Sequence, residues 1–296
     1  MQHYMNSCAL CGENTKVLFE AFDENSGISK ENFIYSKCLK CLGISLNNPP
    51  DNLKMYYQHD YYKIPEFKRL QKIANKDRTK INTLLKYANA GLLLEIGPAF
   101  GVFAFQAKQA GFEVDVIEMD ENCCRFLHNT LGVNVTHSSE PHTVMQTLPK
   151  HDVIAIWHVL EHLPNILDFL RIVNENLKSG GVFIAATPNP NAWQFKVMGK
   201  HWPHLDAPRH LSLIPHSWLV EKGLEMGWEM LYVNTNDSDA KSWNRFGWQR
   251  LLMNRFESKF VQRLMFLLGF LISLMLIPMD QKKFNGSAYT IAFRKR

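Results

Sequence analysis

Short apolar segments alternate with helical segments through the middle of the chain, and this alternation limits the possible folds more than any other feature. The apolar runs read LLLEI, FEVDVIEMD, VNVTHS, DVIAIW and VFIAATPNP, and the intervening helical patterns include VFAFQAKQAG and NILDFLRIVNENLKSGG. Strands that alternate with helices predict a parallel sheet with helices on both faces. A helix over residues 66–90 precedes this part, and WEMLYVNT and SAYTIAFRK are predicted to be the last two strands. The fold class is therefore predicted to be α/β.

A glycine-containing turn follows the first predicted strand, where ligands bind in sheets of this kind. The pattern is E-x-G-x-x-x-G, with Glu95, Gly97 and Gly101, and Glu118 ends the second strand. Gly97 permits a tight turn, Gly101 opens the next helix without a side chain, and Glu118 can accept hydrogen bonds from two ribose hydroxyls. A nicotinamide fingerprint would require glycine or alanine at position 102, where this chain has Val102. The pattern favours S-adenosylmethionine, whose ammonium group Glu95 can help to hold.

Four of the six cysteines form two C-x-x-C units, Cys8 with Cys11 and Cys38 with Cys41. Two such units supply the four sulfur ligands of a structural zinc site, and the strand-like sequence between them predicts a zinc ribbon. The alternatives are unligated thiols in a small hairpin and, less favoured, a redox pair. Cys123 and Cys124 fall in a helical pattern and are predicted to be packing residues.

The net charge of +5 and the 21% content of charged residues are ordinary for a globular protein, and no nucleic-acid partner is expected. The first residues lack the apolar segment of a signal peptide, so a cytoplasmic location is expected.

Two histidines and a glutamate lie together in WHVLEHLP, after the fourth predicted strand. Three interpretations stay open for His158, Glu161 and His162: a metal site, proton transfer, or hydrogen bonds that hold the turn. We predict that His158 and His210 are catalytic, because histidine is the commonest proton-transfer side chain and His210 lies in the loop after the fifth strand. Arg209 is predicted either to bind an acidic group of the substrate or to pair with Asp206.

An insert of some fifty residues separates the last two predicted strands, and its residues 264–279 carry no charge. This run is shorter than a membrane-spanning helix. Residues 243–277 are predicted to form a helix bent at Gly269, with Arg255, Lys259 and Arg263 along one face. Such a helix is typical of peripheral contact with an anionic membrane, here through residues 243–283 at the inner face. Packing against the protein itself or a second subunit is the alternative.

LLLEIGPAFG, VIEMD, DVIAIWHVLEHLPN and LKSGGVFIAATPN together resemble the class I S-adenosylmethionine-dependent methyltransferases. The cysteine pairs, MYYQHDYY and DAPRHLSLIP are similar to a bacterial subgroup that modifies sugars, polysaccharides or lipids. The resemblance implies a Rossmann-like seven-stranded sheet, a small-molecule or lipid-linked acceptor, and a cofactor site that also includes Ala99, Met119 and Trp157. Ala99 replaces a glycine that is common in the first motif.

These features predict three parts: a zinc ribbon at residues 1–62, a methyltransferase domain at 63–240 and 286–296, and a helical insert at 241–285. Two alternative functions remain at this stage. One is a non-enzymatic adaptor at the membrane that binds S-adenosylmethionine without turnover, and the other is a nicotinamide-dependent reductase.

Overall fold

The computed structural model describes residues 7–57 and 62–296. Two sheets contain all of the named strands in this part of the chain. Their bounds are β1 Thr15–Ala21, β2 Phe33–Cys38, β3 Ile44–Leu46, β4 Gly91–Ile96, β5 Phe112–Glu118, β6 Asn134–His137, β7 His151–Trp157, β8 Leu177–Pro188, β9 Ser212–Leu213, β10 Trp228–Asn234 and β11 Ala288–Lys295.

The larger sheet has seven strands in the order β10-β11-β8-β7-β4-β5-β6. β8, β7, β4, β5 and β6 are parallel, whereas β11 is antiparallel to both of its neighbours. The crossovers reverse direction between β4 and β7, so a crevice opens at the carboxyl ends of these strands. This architecture confirms the predicted α/β class and the seven-stranded sheet.

Helices cover both faces of the larger sheet. The α-helices are α1 Phe67–Lys76, α2 Thr79–Leu84, α3 Val102–Gln109, α4 Glu121–Phe126, α5 Pro141–Met145, α6 Ile166–Asn176, α7 Trp193–Met198, α8 His216–Glu225, α9 Ser238–Met253, α10 Lys259–Met275 and α11 Ile277–Asp280. One buried cluster packs around Ile154, Phe169 and Phe183, and a second packs on the opposite face around Phe103, Ala155 and Ile184. Alternate residues of the same strands point into opposite clusters, as the pleat of a sheet requires.

The smaller sheet is antiparallel, in the order β1-β2-β3-β9. Its last strand, β9, comes from the loop after β8, and Ile44 pairs with Leu213 in the ladder. The N-terminal strands and a distant loop of the larger unit are therefore hydrogen-bonded partners. The segment MYYQHDYY, which contributes to the family resemblance, lies partly outside the described residues, and the structure describes only its residues 55–57 and 62.

The single helix predicted over residues 66–90 is two helices, α1 and α2. Asp77 separates them. Its carboxylate accepts a hydrogen bond from the amide of Thr79, the first residue of α2, so the helical pattern is interrupted here. Leu70, Ile81 and Leu84 are buried as the periodicity indicates, whereas Ile73 and Leu85, predicted on the same face, are exposed. A helical pattern of apolar residues therefore identified part of the buried face but not the break.

The insert is a helical hairpin, and the bend predicted at Gly269 is wrong. The chain turns between Met253 and Lys259, which places Arg255 outside the helix that carries Lys259 and Arg263. Gly269 lies inside α10 against α9, where an added Cβ would be 2.6 Å from the Gln249 Cα atom. The glycine therefore permits close packing of two helices. Among the described residues, no helix is long and apolar enough to cross a bilayer.

Candidate active site

A cavity of about 380 Å³ opens at the carboxyl ends of β4 and β5. Gly97, Glu118 and Met119 form one side of it, and His158 and His162 form part of the other. The cavity is also lined by Leu53, Lys54, Tyr57, Tyr62, Ser138, Ser139, Pro141 and Leu211. The cavity therefore lies where the sheet topology predicts a ligand, between the larger unit and the segment after β3.

The turn between β4 and α3 has a backbone that few side chains could follow. Gly97, Ala99 and Gly101 all have positive φ angles, of 67°, 52° and 79°. A Cβ atom on Gly97 would be 2.5 Å from the Val159 side chain, so the close approach requires glycine. Ala99 holds the strained conformation in which a glycine is more usual, and its amide donates a hydrogen bond to Glu118 Oε2 at 2.9 Å.

Glu118 lines the cavity, and hydrogen bonds from backbone amides hold its carboxylate in place. Its Oε1 accepts hydrogen bonds from the Met119 and Asp120 amides, at 2.7 and 2.8 Å. Burial raises the pKa of Glu118, and these amide donors oppose the shift. The rigid carboxylate keeps lone pairs available for the hydroxyl groups of a ribose.

Glu95 and Trp157 lie near the carboxyl ends of β4 and β7 and do not line this cavity. Glu95 is buried, its Oε2 has no hydrogen-bond partner among the described residues, and burial raises its pKa to about 8. Trp157 packs edge-on against Phe103 at 5.0 Å, and the Lys80 ammonium lies 5.0 Å from its ring centroid. An unpartnered buried carboxylate fits the ammonium group of S-adenosylmethionine, so the residues present fit this cofactor.

His158 lies between the cofactor cavity and a second cavity of about 420 Å³, and it lines both. Its backbone φ of 55° is a strained conformation for a residue other than glycine. Asp239, at the start of α9, accepts a hydrogen bond of 2.7 Å from His158 Nε2. Trp243 of the same helix stacks on the imidazole, with 4.0 Å between ring centroids. His158 is therefore fixed by two residues from a helix 80 positions further along the chain.

The carboxylate of Asp239 stays ionised. Burial alone would raise its pKa, but Lys80 and His158 outweigh this effect and hold the pKa well below its usual range. An ionised carboxylate only accepts hydrogen bonds, so His158 Nε2 is the donor of this pair. His158 Nδ1 has no hydrogen-bond partner among the described residues and is 3.8 Å from Glu161 Oε1.

Glu161 and His210, which are buried, and the half-buried His162 form a cluster whose ligand atoms all lie within 4.8 Å of one another. His210 Nδ1 donates to the His204 carbonyl oxygen, and His162 Nδ1 donates to the Arg209 carbonyl oxygen, both at 2.9 Å. In both rings Nε2 is thus the nitrogen left to face the cluster. Glu161 Oε2 accepts from Thr187, and burial lowers the pKa of His210 well below its usual value. The cluster can hold a metal ion or form a polar wall of the cavity.

Arg209 and Asp206 form a buried ion pair in the second cavity, with 2.5 Å between Nη2 and Oδ1. Asp206 also accepts a hydrogen bond from Asn25. Burial alone would raise the pKa of Asp206, but His210 and Arg209 hold it below its usual range. Arg209 is therefore already matched with a carboxylate of the protein, as one of the two interpretations of the sequence predicted.

The four cysteines of the N-terminal pairs come together on one side of the smaller sheet. The Sγ atoms of Cys8 and Cys41 are 3.6 Å apart, and those of Cys11 and Cys38 are 3.5 Å apart. Tetrahedral zinc with sulfur at about 2.3 Å requires separations of about 3.8 Å. The Cys41 partner lowers the pKa of Cys8 to about 5, against the effect of burial, so this thiol is readily ionised. The site fits structural zinc, with no ligand position left for chemistry.

Sequence reasoning missed the contribution of α9 to this site. Asp239, Trp243, Phe246 and Arg250 are spaced by four, three and four residues and therefore share one helical face. The spacing is visible in the sequence. The hydrophobic run that follows is a stronger pattern than this face, and it indicated contact with a membrane.

A family model described as a methyltransferase domain matches residues 45–233. The ubiquinone biosynthesis O-methyltransferase of Paramagnetospirillum magneticum is 30% identical over 115 residues, which are 37% of this chain. The match spans 46% of that relative, less than half of its length.

Two solved structures share the fold at low sequence identity. A proposed sarcosine dimethylglycine methyltransferase from Galdieria sulphuraria has a TM-score of 0.51 and 14% identity, over 83% of this chain and 98% of that one. An S-adenosylmethionine-dependent methyltransferase from Mesorhizobium loti has a TM-score of 0.50 and 12% identity, over 76% and 100%. The family match extends over more than half of the chain, and the larger sheet has the corresponding architecture. The chain therefore belongs to the class I S-adenosylmethionine-dependent methyltransferase family.

Proposed function

We propose that the protein transfers a methyl group from S-adenosylmethionine to a small-molecule acceptor in the second cavity, with His158 as the general base. The observation that carries this proposal is the junction of the two cavities: His158 and His162 line both. A methyl donor in the first cavity and an acceptor in the second would meet at these side chains. Methyl transfer requires such an arrangement, because the reacting atoms must be aligned at close range.

S-adenosylmethionine supplies an electrophilic methyl group, so the protein has to position the acceptor and remove its proton. His158 Nδ1 takes that proton, since this atom has no hydrogen-bond partner among the described residues and Asp239 fixes the ring through Nε2. Asp239 also stabilises the positive charge that then forms on the imidazole. The stacked Trp243 keeps water from one face of the ring. Glu118 and Gly97 bind the ribose side of the cofactor, and Glu95 its ammonium group.

The first test measures cofactor choice and turnover in the same protein. S-adenosylhomocysteine should raise the melting temperature and NAD should not. Methyl groups from labelled S-adenosylmethionine should then appear in an acceptor fraction prepared from cells. Stabilisation by NAD alone would favour a reductase. Cofactor binding without any transfer would favour the non-enzymatic adaptor.

The second test separates the base from the scaffold. We expect His158→Gln to lower the rate of methyl transfer by about 10²- to 10⁴-fold, the usual contribution of a general base. The affinity for S-adenosylhomocysteine should stay within about threefold. His142→Gln, an exposed histidine on α5, is the matched control and should keep full activity. Equal rates for wild type and His158→Gln would exclude His158 as the base.

Glu161, His162 and His210 favour a second candidate for the same step, in which a divalent transition metal lowers the pKa of the acceptor. Each of the two histidines donates one ring N–H to a backbone carbonyl, which is the usual arrangement around a metal-ligating histidine. Mixed nitrogen and oxygen ligands suit a transition metal rather than magnesium. Activity that is lost after dialysis against EDTA and restored by Mn²⁺ or Zn²⁺ would identify this mode.

Support for a lipid-linked acceptor comes from the outer face of α10. Phe260, Leu264, Leu267, Leu271 and Met275 are all exposed and follow one another at helical spacing. Lys259 and Arg263 border this apolar stripe, on the same helix. An exposed apolar stripe with basic residues beside it fits peripheral contact with an anionic membrane. Because α10 packs on α9, which lines the second cavity, an acceptor held in the membrane surface would be close to the site.

Flotation with liposomes tests the membrane contact. The protein should float with vesicles that contain phosphatidylglycerol and less with vesicles of phosphatidylcholine alone. Leu267→Ser combined with Leu271→Ser should abolish flotation. Leu224→Ser, which changes an equally exposed leucine on α8, should not. If wild type floats with neither vesicle, the stripe does not bind membranes, and a stable dimer in solution would identify it as a subunit interface.

A further inference from the structure

One face of α9 carries Trp243, Phe246 and Arg250 along the second cavity, and Asp239 lies one turn earlier on the same face. Asp239 holds His158, Trp243 stacks on His158, Phe246 follows, and Arg250 lies at the far end. Seven residues separate Trp243 from Arg250, which is about 10 Å along a helix. The cavity thus extends from the reacting atoms to a guanidinium group about two helical turns away.

The middle of the cavity is aromatic. The His204 ring lies 4.4 Å from Trp243 and 5.6 Å from Phe246, measured between centroids. His204 is buried, and burial lowers its pKa to about 3, so the ring is neutral. Its Nε2 is 2.8 Å from the Trp243 carbonyl oxygen, which can only accept, and the imidazole is therefore fixed. These rings, tilted by 36° and 40° from the His204 plane, form an uncharged aromatic surface suited to a ring-shaped group.

The far end of the cavity has a positive charge that the protein does not neutralise directly. Within residues 7–57 and 62–296, no carboxylate oxygen lies within 4 Å of the Arg250 guanidinium. Its Nη2 donates to the Asn25 carbonyl oxygen, which fixes the side chain at the cavity rim. Burial, followed by repulsion from Arg209, acts to lower the pKa of Arg250, and Asp206 opposes this. Since Asp206 is already bound by Arg209, a second anion would stabilise this end of the cavity.

We infer that Arg250 binds an anionic group of the acceptor, a phosphate ester or a carboxylate, attached to a ring that lies on Trp243 and Phe246. The methylated atom is then at the opposite end of the ring, beside His158. Arginine matches the oxygens of such groups with paired N–H donors. This inference rests on the proposed function only in naming the occupant as the acceptor. Binding of the anion can be measured without methyl transfer.

The test is calorimetric titration of the protein saturated with S-adenosylhomocysteine. Phenyl phosphate is the probe, and phenol is its uncharged counterpart. We expect phenyl phosphate to bind at least tenfold more tightly than phenol. Arg250→Gln should remove this advantage, whereas Arg250→Lys should retain part of it because the charge is kept. Arg245→Gln is the matched control, since Arg245 is an exposed arginine on the opposite side of α9 and does not line this cavity.

Each variant must also bind S-adenosylhomocysteine with unchanged affinity, which shows that it is folded. Equal binding of phenol and phenyl phosphate by wild type would overturn the inference. Equal weakening of phenyl phosphate binding by Arg250→Gln and Arg245→Gln would also overturn it, because non-specific electrostatic attraction would then explain the result. Competition by farnesyl phosphate and by glucose 1-phosphate shows whether the anion belongs to a lipid or to a free sugar, and either ranking supports the site. If the probe binds as expected but no extract is methylated, the proposed function fails while the anion site stands.

Discussion

Glu95 should make the affinity for the cofactor depend on pH, to an extent that follows from its burial. The carboxylate is buried with one oxygen unpartnered among the described residues, and its pKa of about 8 reflects that burial, which nearby Lys80 only partly offsets. We expect Glu95 to ionise when the ammonium group of the cofactor binds beside it. About one tenth of the free protein then has Glu95 ionised at pH 7, and about one hundredth at pH 6.

The affinity of wild type for S-adenosylhomocysteine should therefore fall about tenfold for each pH unit below 8, or about 1.4 kcal/mol per unit. Close to one proton should be released for each ligand bound at pH 6 to 7. Glu95→Gln should remove both effects. Isothermal titration calorimetry in buffers of different ionisation enthalpy measures the affinity and the proton count together.

The amino group of the ligand also titrates near pH 8, so the decisive quantity is the ratio of the wild-type affinity to that of Glu95→Gln. Glu113→Gln, which alters an exposed glutamate of β5, is the control and should reproduce the wild-type profile. A ratio that stays constant between pH 6 and pH 8 would refute the reasoning, because Glu95 would then not change its ionisation on binding.

Three further predictions concern stability. Mass spectrometry of the metal content should find one zinc ion per chain, and Cys11→Ser should lose it and lower the melting temperature by roughly 5–10 °C. Gly269→Leu should destabilise the protein by about 3 kcal/mol in urea unfolding, because the side chain would meet the backbone of α9 at Gln249. Asp280 is buried, and burial raises its pKa to about 6. Its contribution to the free energy of unfolding therefore falls as the pH rises from about 4 to 6. Asp280→Asn should be more stable than wild type above pH 6, by up to about 3 kcal/mol, and equal to it at pH 4.

Each of these three has a contrasting variant or condition. Cys124→Ser changes a cysteine outside the cluster and should keep its zinc. Leu268→Ala removes an exposed side chain next to Gly269 and should change stability by less than about 1 kcal/mol. For Asp280, an identical pH dependence in wild type and variant would show that this carboxyl does not titrate as expected.

The turn beside the first cavity could be predicted from the sequence because its residues act through local backbone geometry. Gly97, Ala99 and Gly101 lie within one turn, and Glu118 bonds to the amides of that turn and of its own neighbours. The alternation of strands and helices was equally local and predicted the α/β class, whereas the seven-stranded sheet was implied by the family resemblance. The two cysteine pairs could be assigned to one zinc site because the C-x-x-C spacing is itself typical of zinc ligands.

The acceptor half could not be predicted in the same way, because its contacts join distant parts of the chain. His158 and Asp239 are 81 residues apart, and Asn25 and Arg250 are 225 apart. Helical periodicity predicted a helix over residues 243–277, most of which are helical, but an apolar pattern carries no information on where two packed helices turn. The same limit applies to the break at Asp77, where a side-chain hydrogen bond ends a pattern that otherwise continues.

The two-residue strand β9 has a consequence for how such proteins can be recombined. β9 lies directly after His210 and pairs with β3, and the Tyr35 hydroxyl donates to the His210 carbonyl oxygen. An exchange of the first fifty-odd residues between two relatives would therefore also exchange the support of the acceptor loop. We expect chimaeras to inherit the substrate preference of the N-terminal donor only when residues 203–213 are transferred with it, so that these two separate stretches of sequence form one unit of specificity.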